Sequence, residues 1–274
     1  MKADLTSVLR TFRRQMAILR VLRAAGIVLF IISVAALPDL RLVHAGAALA
    51  IGLGLLILAG LLAANSVRLA REVQAGGVLI SIGKFDDAEV WLRRGLTQFA
   101  ISRRAKIMAA QMLASLFTYR RQYEDTVAIC RELLRQPIRR LEHIWIDTRL
   151  MLADSLLALG RLAEAHEAML PLFGTPLSLE ARMKLLPIQL RYELAAGHAA
   201  SAAAALQQKV RIAELMDAPS AGLTHALLAE ACRRQNLTGQ QSFLAERARL
   251  YHDLEPLARL HPVIEPIAAG AENH

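Results

Sequence analysis

The sequence predicts an all-α protein: an N-terminal transmembrane helical hairpin followed by an α-solenoid of about five helix pairs. Three observations carry that expectation. The chain is 55% hydrophobic but only 5% aromatic, so its apolar mass is Ala and Leu, strong helix formers, whereas β-branched and aromatic residues lead in strands. A run of 20 residues, Ala45 to Ala64, carries no charge. Beyond that run, one short pattern returns every 37 to 39 residues. The 274 residues leave room for one or two domains with a core of their own.

Residues 1–23 form a basic arm, with Lys2, Arg10, Arg13, Arg14, Arg20 and Arg23 against the single acid Asp4. Leu5, Val8, Leu9, Phe12, Met16 and Leu19 gather on one helical face, and Arg10, Arg13 and Arg14 on the other. Such a helix can lie along a membrane surface; the same residues also read as a cytoplasmic extension of a first span.

Residues 24–66 read as a two-helix transmembrane hairpin. At ~1.5 Å per residue, Ala45–Ala64 is long enough to cross a bilayer core. The run Ala24–Leu37 is short on its own. It gains length from Val21 and Leu22 if Arg20 and Arg23 reach back to the headgroups. Pro38-Asp39 marks the turn. A cleaved secretory signal is the rival for residues 1–36, with a basic start, an apolar core and Val34-Ala35-Ala36 resembling a cleavage site; its 23-residue basic lead is long for that. Arg68 and Arg71 follow the second span, so positive flanks mark both outer ends. The positive-inside rule then predicts an integral protein of the cell or inner membrane with two spans and both termini cytoplasmic. Ala48 and Gly52, then Gly60 and Ala64, are spaced for close helix packing, on the chain's own first span or on a second copy in a homo-oligomer.

The net charge of +9 is concentrated beside the hairpin. That placement suits anionic lipid at residues 1–66. It does not suit nucleic acid, which needs a basic stripe interleaved with aromatics. Cys130 and Cys232 match no CxxC or zinc spacing and read as buried thiols in a reducing compartment.

Residues 67–254 hold the repeat. GKFDDAEVWLRRGL begins at Gly83, RQYEDTVAICRELL at Arg121, GRLAEAHEAMLPLF at Gly160 and GHAASAAAALQQKV at Gly197, with a weaker copy, QNLTGQQSFLAERA, at Gln235. Each has a turn residue, a larger residue two later (Phe85, Tyr123, Leu162) and a small or short one three after that (Ala88, Thr126, Ala165, Ala202). A packing position follows at Leu92, Cys130, Met169 and Leu206. This is a helix start with one buried face. An apolar helix precedes each copy, with Leu113, Ala114 and Phe117 inward in the second and Leu152, Ala153 and Leu156 in the third. Pro137 and Pro176 stop two of the second helices. Gly76-Gly77 is the one place where the link from span to repeats can bend.

This pattern resembles the tetratricopeptide repeat (TPR) family, which pairs antiparallel helices with Gly-x-Tyr at the turn and Ala on the second helix. The likeness covers residues 69–254; the fourth and fifth copies are degenerate, with Gln189 where Leu is expected and Gln240 where Ala is. The period exceeds the family's usual one, and related helix-pair repeats fit as well. Helix pairs at a fixed period stack so that each buries its face on its neighbours.

In TPR arrays the first helices line a concave groove. By that resemblance the inward positions are Gln111, Ser115 and Tyr119, then Asp147 and Asp154, then Lys184 and Arg191. The mixed charge suits an extended peptide or a helix. The family's carboxylate clamp needs a Lys and two Asn, and Gln111, Ser115 and Asp154 depart from that.

No HExxH, GxSxG, Walker loop or GxGxxG is present, so no enzyme, metal or cofactor is expected. Asp86-Asp87 and Glu124-Asp125 open second helices, where negative charge complements the helix dipole. The tail, residues 255–274, contains Pro256, Pro262 and Pro266 and is expected to be extended, with HPVIEPI able to dock on a surface. The function expected is a membrane-anchored scaffold or adaptor that binds a protein partner at the cytoplasmic face. The alternative is an accessory subunit or assembly factor of a membrane complex, interacting through the hairpin.

Overall fold

A computed structural model describes residues 2–36, 45–100 and 102–269, and within the two N-terminal helices the side chains chiefly of residues 5–28 and 60–81. The described residues are all-α, with no strand among them. The chain divides into two units, residues 1–140 and 141–274.

The first unit contains α1 (Lys2–Ala36), α2 (Ala45–Ser81), α3 (Phe85–Thr97), α4 (Arg103–Tyr119) and α5 (Tyr123–Leu134). The end of α2 pairs with α3, α4 pairs with α5, and α2 and α3 both pack on α4. Ala88, Leu92, Leu96, Leu113, Ala114, Phe117, Thr126 and Cys130 are closed to solvent, as the sequence pattern requires. Gly76-Gly77 is not a hinge. The α2 helix runs unbroken through it, and a Cβ on Gly76 would stand 2.9 Å from Leu92 Cδ2, one on Gly77 3.2 Å from Met112 Cε. These glycines let α2 approach α3 and α4 closely, the packing use of a missing side chain.

The second unit contains α6 (Glu142–Ala158), α7 (Leu162–Phe173), α8 (Leu179–Ala195), α9 (Ala199–Ala203), α10 (Leu206–Ala213), α11 (Ala218–Arg234) and α12 (Thr238–Tyr251). Pairs α6–α7 and α11–α12 are regular, and α8 packs between α6 and α11. The second helix of the fourth copy is broken: Ala205 takes φ +52°, so α9 ends and α10 begins anew. Lys209 Nζ donates to the carbonyls of Ser201 and Ala202, each at 2.8 Å, and so satisfies the broken end.

One turn recurs in all five copies. Gly83, Arg121, Gly160, Gly197 and Asn236 have φ of +77°, +57°, +73°, +80° and +58°. The next N–H donates back to the carbonyl five residues earlier: Lys84 to Leu79 at 2.9 Å, Gln122 to Phe117 at 2.8 Å, Arg161 to Leu156 at 2.9 Å, His198 to Glu193 at 2.7 Å and Leu237 to Cys232 at 2.9 Å. This is the Schellman closure of a helix end. The fifth turn centres on Asn236, one residue after Gln235, where the sequence pattern puts it.

The tail is not extended. It forms α13 (Leu254–Leu260), a 3-10 turn (Pro262–Ile264) and α14 (Glu265–Ala269). Leu254, Leu257, Ile264 and Ile267 are buried in one cluster with Leu190, Leu194, Leu227 and Leu228.

The basic arm is also reassigned. Its apolar stripe (Leu5, Val8, Phe12, Met16 and Leu19) is buried, and α1 packs on α3 and α5. Protein, not lipid, covers that face. Arg13 donates from Nη2 at 2.5 Å to the buried carboxylate of Glu132, which also takes Arg135 at 3.2 Å. That carboxylate raises the affinity of Arg13 for its proton by hydrogen bond and charge. Gln15 Nε2 donates to Thr97 O at 2.6 Å and its Oε1 accepts from Lys106 Nζ. Lys106, closed to solvent, also donates to Leu96 O at 3.2 Å and Gln98 O at 2.6 Å. An ammonium at the last carbonyls of α3 complements that helix's negative end, while burial lowers its pKa to about 8.

Among the described residues, no helix is long and apolar enough to cross a membrane. This overturns the expected placement as an integral two-span protein with cytoplasmic termini, and the transmembrane hairpin is unsupported. The α1 stripe and Leu69 and Val73 of α2 are buried on protein instead, while Val21, Leu22, Val28, Val67 and Val78 are exposed. The turn at residues 38–44 lies outside the described residues, as do the side chains of Ala48 and Gly52.

Chemical denaturation checks the turn and the arm separately. Gly160→Ala should destabilise by about 1 kcal/mol, because its φ of +73° penalises a Cβ although nothing stands in the way of one, whereas Arg121→Gly should stabilise by about 0.5 kcal/mol. Phe12→Ala should destabilise by about 3 kcal/mol, the cost of an emptied core site; an unchanged midpoint would mean that α1 is not part of this core.

Candidate functional site

Four of the seven residues expected to line a groove meet in the second unit. Asp147 and Asp154 stand seven residues apart on α6, and Lys184 and Arg191 seven apart on α8. Because α6 and α8 lie side by side at matching register, Asp147 Oδ1 reaches Lys184 Nζ at 3.1 Å and Asp154 Oδ1 pairs with Arg191 Nη1. Read from sequence alone, these are patches awaiting a partner's charges; the structure shows two rungs of a ladder that neutralise one another. Lys184 also pairs with Glu180 at 2.7 Å, one helical turn away. Burial alone would lower the Lys184 ammonium, but the hydrogen bonds and charges of Glu180 and Asp147 carry it above the usual lysine value.

The register of this ladder is set by the recurring turn. Ser115, Asp154, Arg191 and Glu230 each stand six residues before a left-handed turn residue. Glu230 continues the line on α11, where it is closed to solvent and accepts from Arg233 at 2.7 Å and Arg234 at 2.7 Å. Burial alone would raise its carboxyl; the hydrogen bonds from the two arginines hold it below the usual value. Arg234 also donates to Leu194 O at 2.7 Å, tying α11 to the end of α8.

His261, from the tail, stands in the field of the same ladder. Its pKa is pushed down to about 4, first by burial and then by the charge of Arg191, with Asp154 acting the other way. Its Nδ1 is buried with no hydrogen-bond partner among the described residues. The neutral imidazole is therefore the docked form.

The remaining three expected residues, Gln111, Ser115 and Tyr119, lie on α4 in the first unit. Gln111 and Ser115 are half-buried, and Tyr119 is exposed and stacks on Phe85 with ring centroids 6.2 Å apart. Beside them Arg120 pairs with Asp86 at 2.5 Å and with Glu89. Asp86, read from sequence as a helix-start charge, is thus also an ion-pair partner between helices; α3 has no side-chain cap.

Sequence reasoning missed Glu230, His261 and the four aliphatic anchors of the tail. The signal was there: Leu254, Leu257, Leu260, Ile264 and Ile267 recur at spacings of three and four residues, a helical period. Among the described residues no group of three His, Cys, Asp or Glu could share a metal ion. Both cysteines are free and buried, and burial pushes Cys130 up to about 12.

The docked His261 titrates below a solvated imidazole, whose pKa is about 6.5. Its contribution to stability is therefore complete above about pH 6.5 and is lost as pH falls through about 4. Between pH 7 and pH 4 the native chain should lose up to about 3 kcal/mol more stability than His261→Phe. Parallel pH profiles in denaturant titrations would contradict this burial.

Comparison of the chain with family models, with curated proteins and with solved structures finds no match.

Proposed function

We propose that the chain is a TPR-like scaffold of about five helix pairs, in which the first helices of successive pairs present a surface to a protein partner. One observation supports the reading above others. The same Schellman turn closes all five first helices, so that residues one period apart repeat at one register, as Asp154, Arg191 and Glu230 do within the second unit. Regularity of that kind gives no catalytic constellation, but it does give a row of side chains that an elongated ligand can read. Gln111, Ser115 and Tyr119 are the partner-facing residues proposed for the first unit, and Asp147, Asp154, Lys184 and Arg191 those for the second.

In the second unit a partner must compete with the internal ion pairs. The partly exposed Lys184–Asp147 pair contributes about 0–1 kcal/mol, so exchanging that carboxylate for a partner's costs little. The ladder thereby favours a ligand that carries both signs. The reading of the chain as an accessory subunit of a membrane complex needs a hairpin that crosses the membrane, and among the described residues no helix is long and apolar enough for that.

Lys184 offers an amine for cross-linking on the proposed surface. Amine cross-linking in cells should join Lys184 to a co-purifying protein, and Asp147→Lys with Asp154→Arg should lower its recovery at least ten-fold. Recovery unchanged by that pair and by Ser115→Arg would place the partner elsewhere and rule out the groove.

A further inference from the structure

The five repeats are complete at Tyr251, where α12 closes its pair with α11. The remaining segment, residues 252–269, is an addition to the array and not a sixth pair. It is joined by a short extended link at His252 and Asp253, with φ of −160° and −60°. It then lies on first helices: α13 and α14 pack on α11, and the 3-10 turn packs on both α11 and α8.

Three features of this segment are those of a bound peptide. Its helices are seven, three and five residues long, far below the length at which a helix is stable in water by itself. Its hold is through spaced aliphatic anchors, Leu254, Leu257, Ile264 and Ile267, between 0% and 8% exposed. Its polar ties are few: Arg249 donates to Ile267 O at 3.2 Å, while the enclosed Nδ1 of half-buried His261 has no hydrogen-bond partner among the described residues. A cleft of about 700 Å³ beside it is lined by the segment's own His252, Leu254, Arg259, Pro262 and Glu265 and by Arg249 of α12, and belongs to the segment's own fold. Buried polar atoms are normally satisfied.

We infer that the face of α8 and α11 is a binding surface for a short amphipathic segment with two aliphatic pairs broken by a proline turn, and that residues 254–269 are its ligand held in cis. The chemistry of the partner follows from the occupant. It presents Leu or Ile at positions 1, 4, 11 and 14 of a segment, matching 254, 257, 264 and 267, with a neutral side chain in the place of His261, whose Nδ1 is closed to solvent. A competing segment enters only when it outbids a tethered one, whose effective concentration is on the order of millimolar. The surface is therefore closed to weak ligands and open to strong or locally concentrated ones. The inference rests on the scaffold reading only in taking the first helices as the binding side.

The test uses the full chain with a cleavable linker inserted between His252 and Asp253, and a fluorescent peptide of residues 253–269 as probe. Before cleavage the probe should bind at least ten-fold more weakly than after cleavage and gel filtration, when the cis segment has left. The double variant Ile264→Asp with Ile267→Asp, which releases the segment without cutting the chain, should bind the probe as the cut chain does. The inference is overturned if the segment stays with the cut chain throughout dilution, if its departure strips α8 and α11 of hydrogen-exchange protection, or if the emptied surface ignores the probe. Because the probe is the chain's own segment, its titration is read separately from Lys184 cross-linking. Saturable probe binding without any Lys184 cross-link would sustain the cis ligand and remove the scaffold, and the reverse result would do the opposite.

Discussion

A helix that ends in water leaves its last carbonyls without intrahelical partners, and five helices of this chain resolve that problem in the same way. A residue in the left-handed region turns the chain, and the next N–H bonds back to the carbonyl five residues earlier. The returning helix then starts at a fixed distance from the end of the first. Since the five turn residues are 37 to 39 apart, side chains one period apart take the same position within their own helix pair. The buried small residues Ala88, Thr126, Ala165 and Ala202 follow from it, as does the meeting of Asp154 with Arg191. If the turn were made differently in one copy, register would slip and the ladder between α6 and α8 would be lost.

That constraint explains which features were legible in the sequence. Glycine at 83, 160 and 197 announces a left-handed residue, and the alternation of turn, bulky and small residues gives the helix starts. Arg121 and Asn236 do the same work with less to show for it. Asparagine tolerates this conformation better than most residues with a side chain, and the fifth copy reads one residue early from sequence for want of a glycine. The tail reads as extended because three prolines in a short stretch look like breaks. Pro256 falls in the first turn of α13, Pro262 begins the 3-10 turn and Pro266 is second in α14, places where a missing N–H costs a helix nothing.

What covers an apolar face is a different kind of question, and there the sequence is ambiguous. The stripe from Leu5 to Leu19 looks the same whether lipid or protein lies against it. What distinguishes the two is polar chemistry between distant residues: Glu132 buried to receive Arg13, and Lys106 and Gln15 together meeting the carbonyls at the end of α3. No local pattern announces pairs 91 or 119 residues apart. The same holds for the candidate site. The four charges were legible as a set on first helices, but their pairing was not, and pairing changes them from free recognition groups into groups that a ligand must exchange.

All five pairs share one turn, including the two copies without glycine, and amide hydrogen exchange resolved by residue tests this directly. The N–H groups of Lys84, Gln122, Arg161, His198 and Leu237, each the first backbone amide beyond a left-handed residue, should all exchange slowly, as hydrogen-bonded amides at a turn do. Rapid exchange at Gln122 and Leu237 alongside protection at the three glycine turns would contradict it, since the second and fifth copies would then lack the closure that fixes their register.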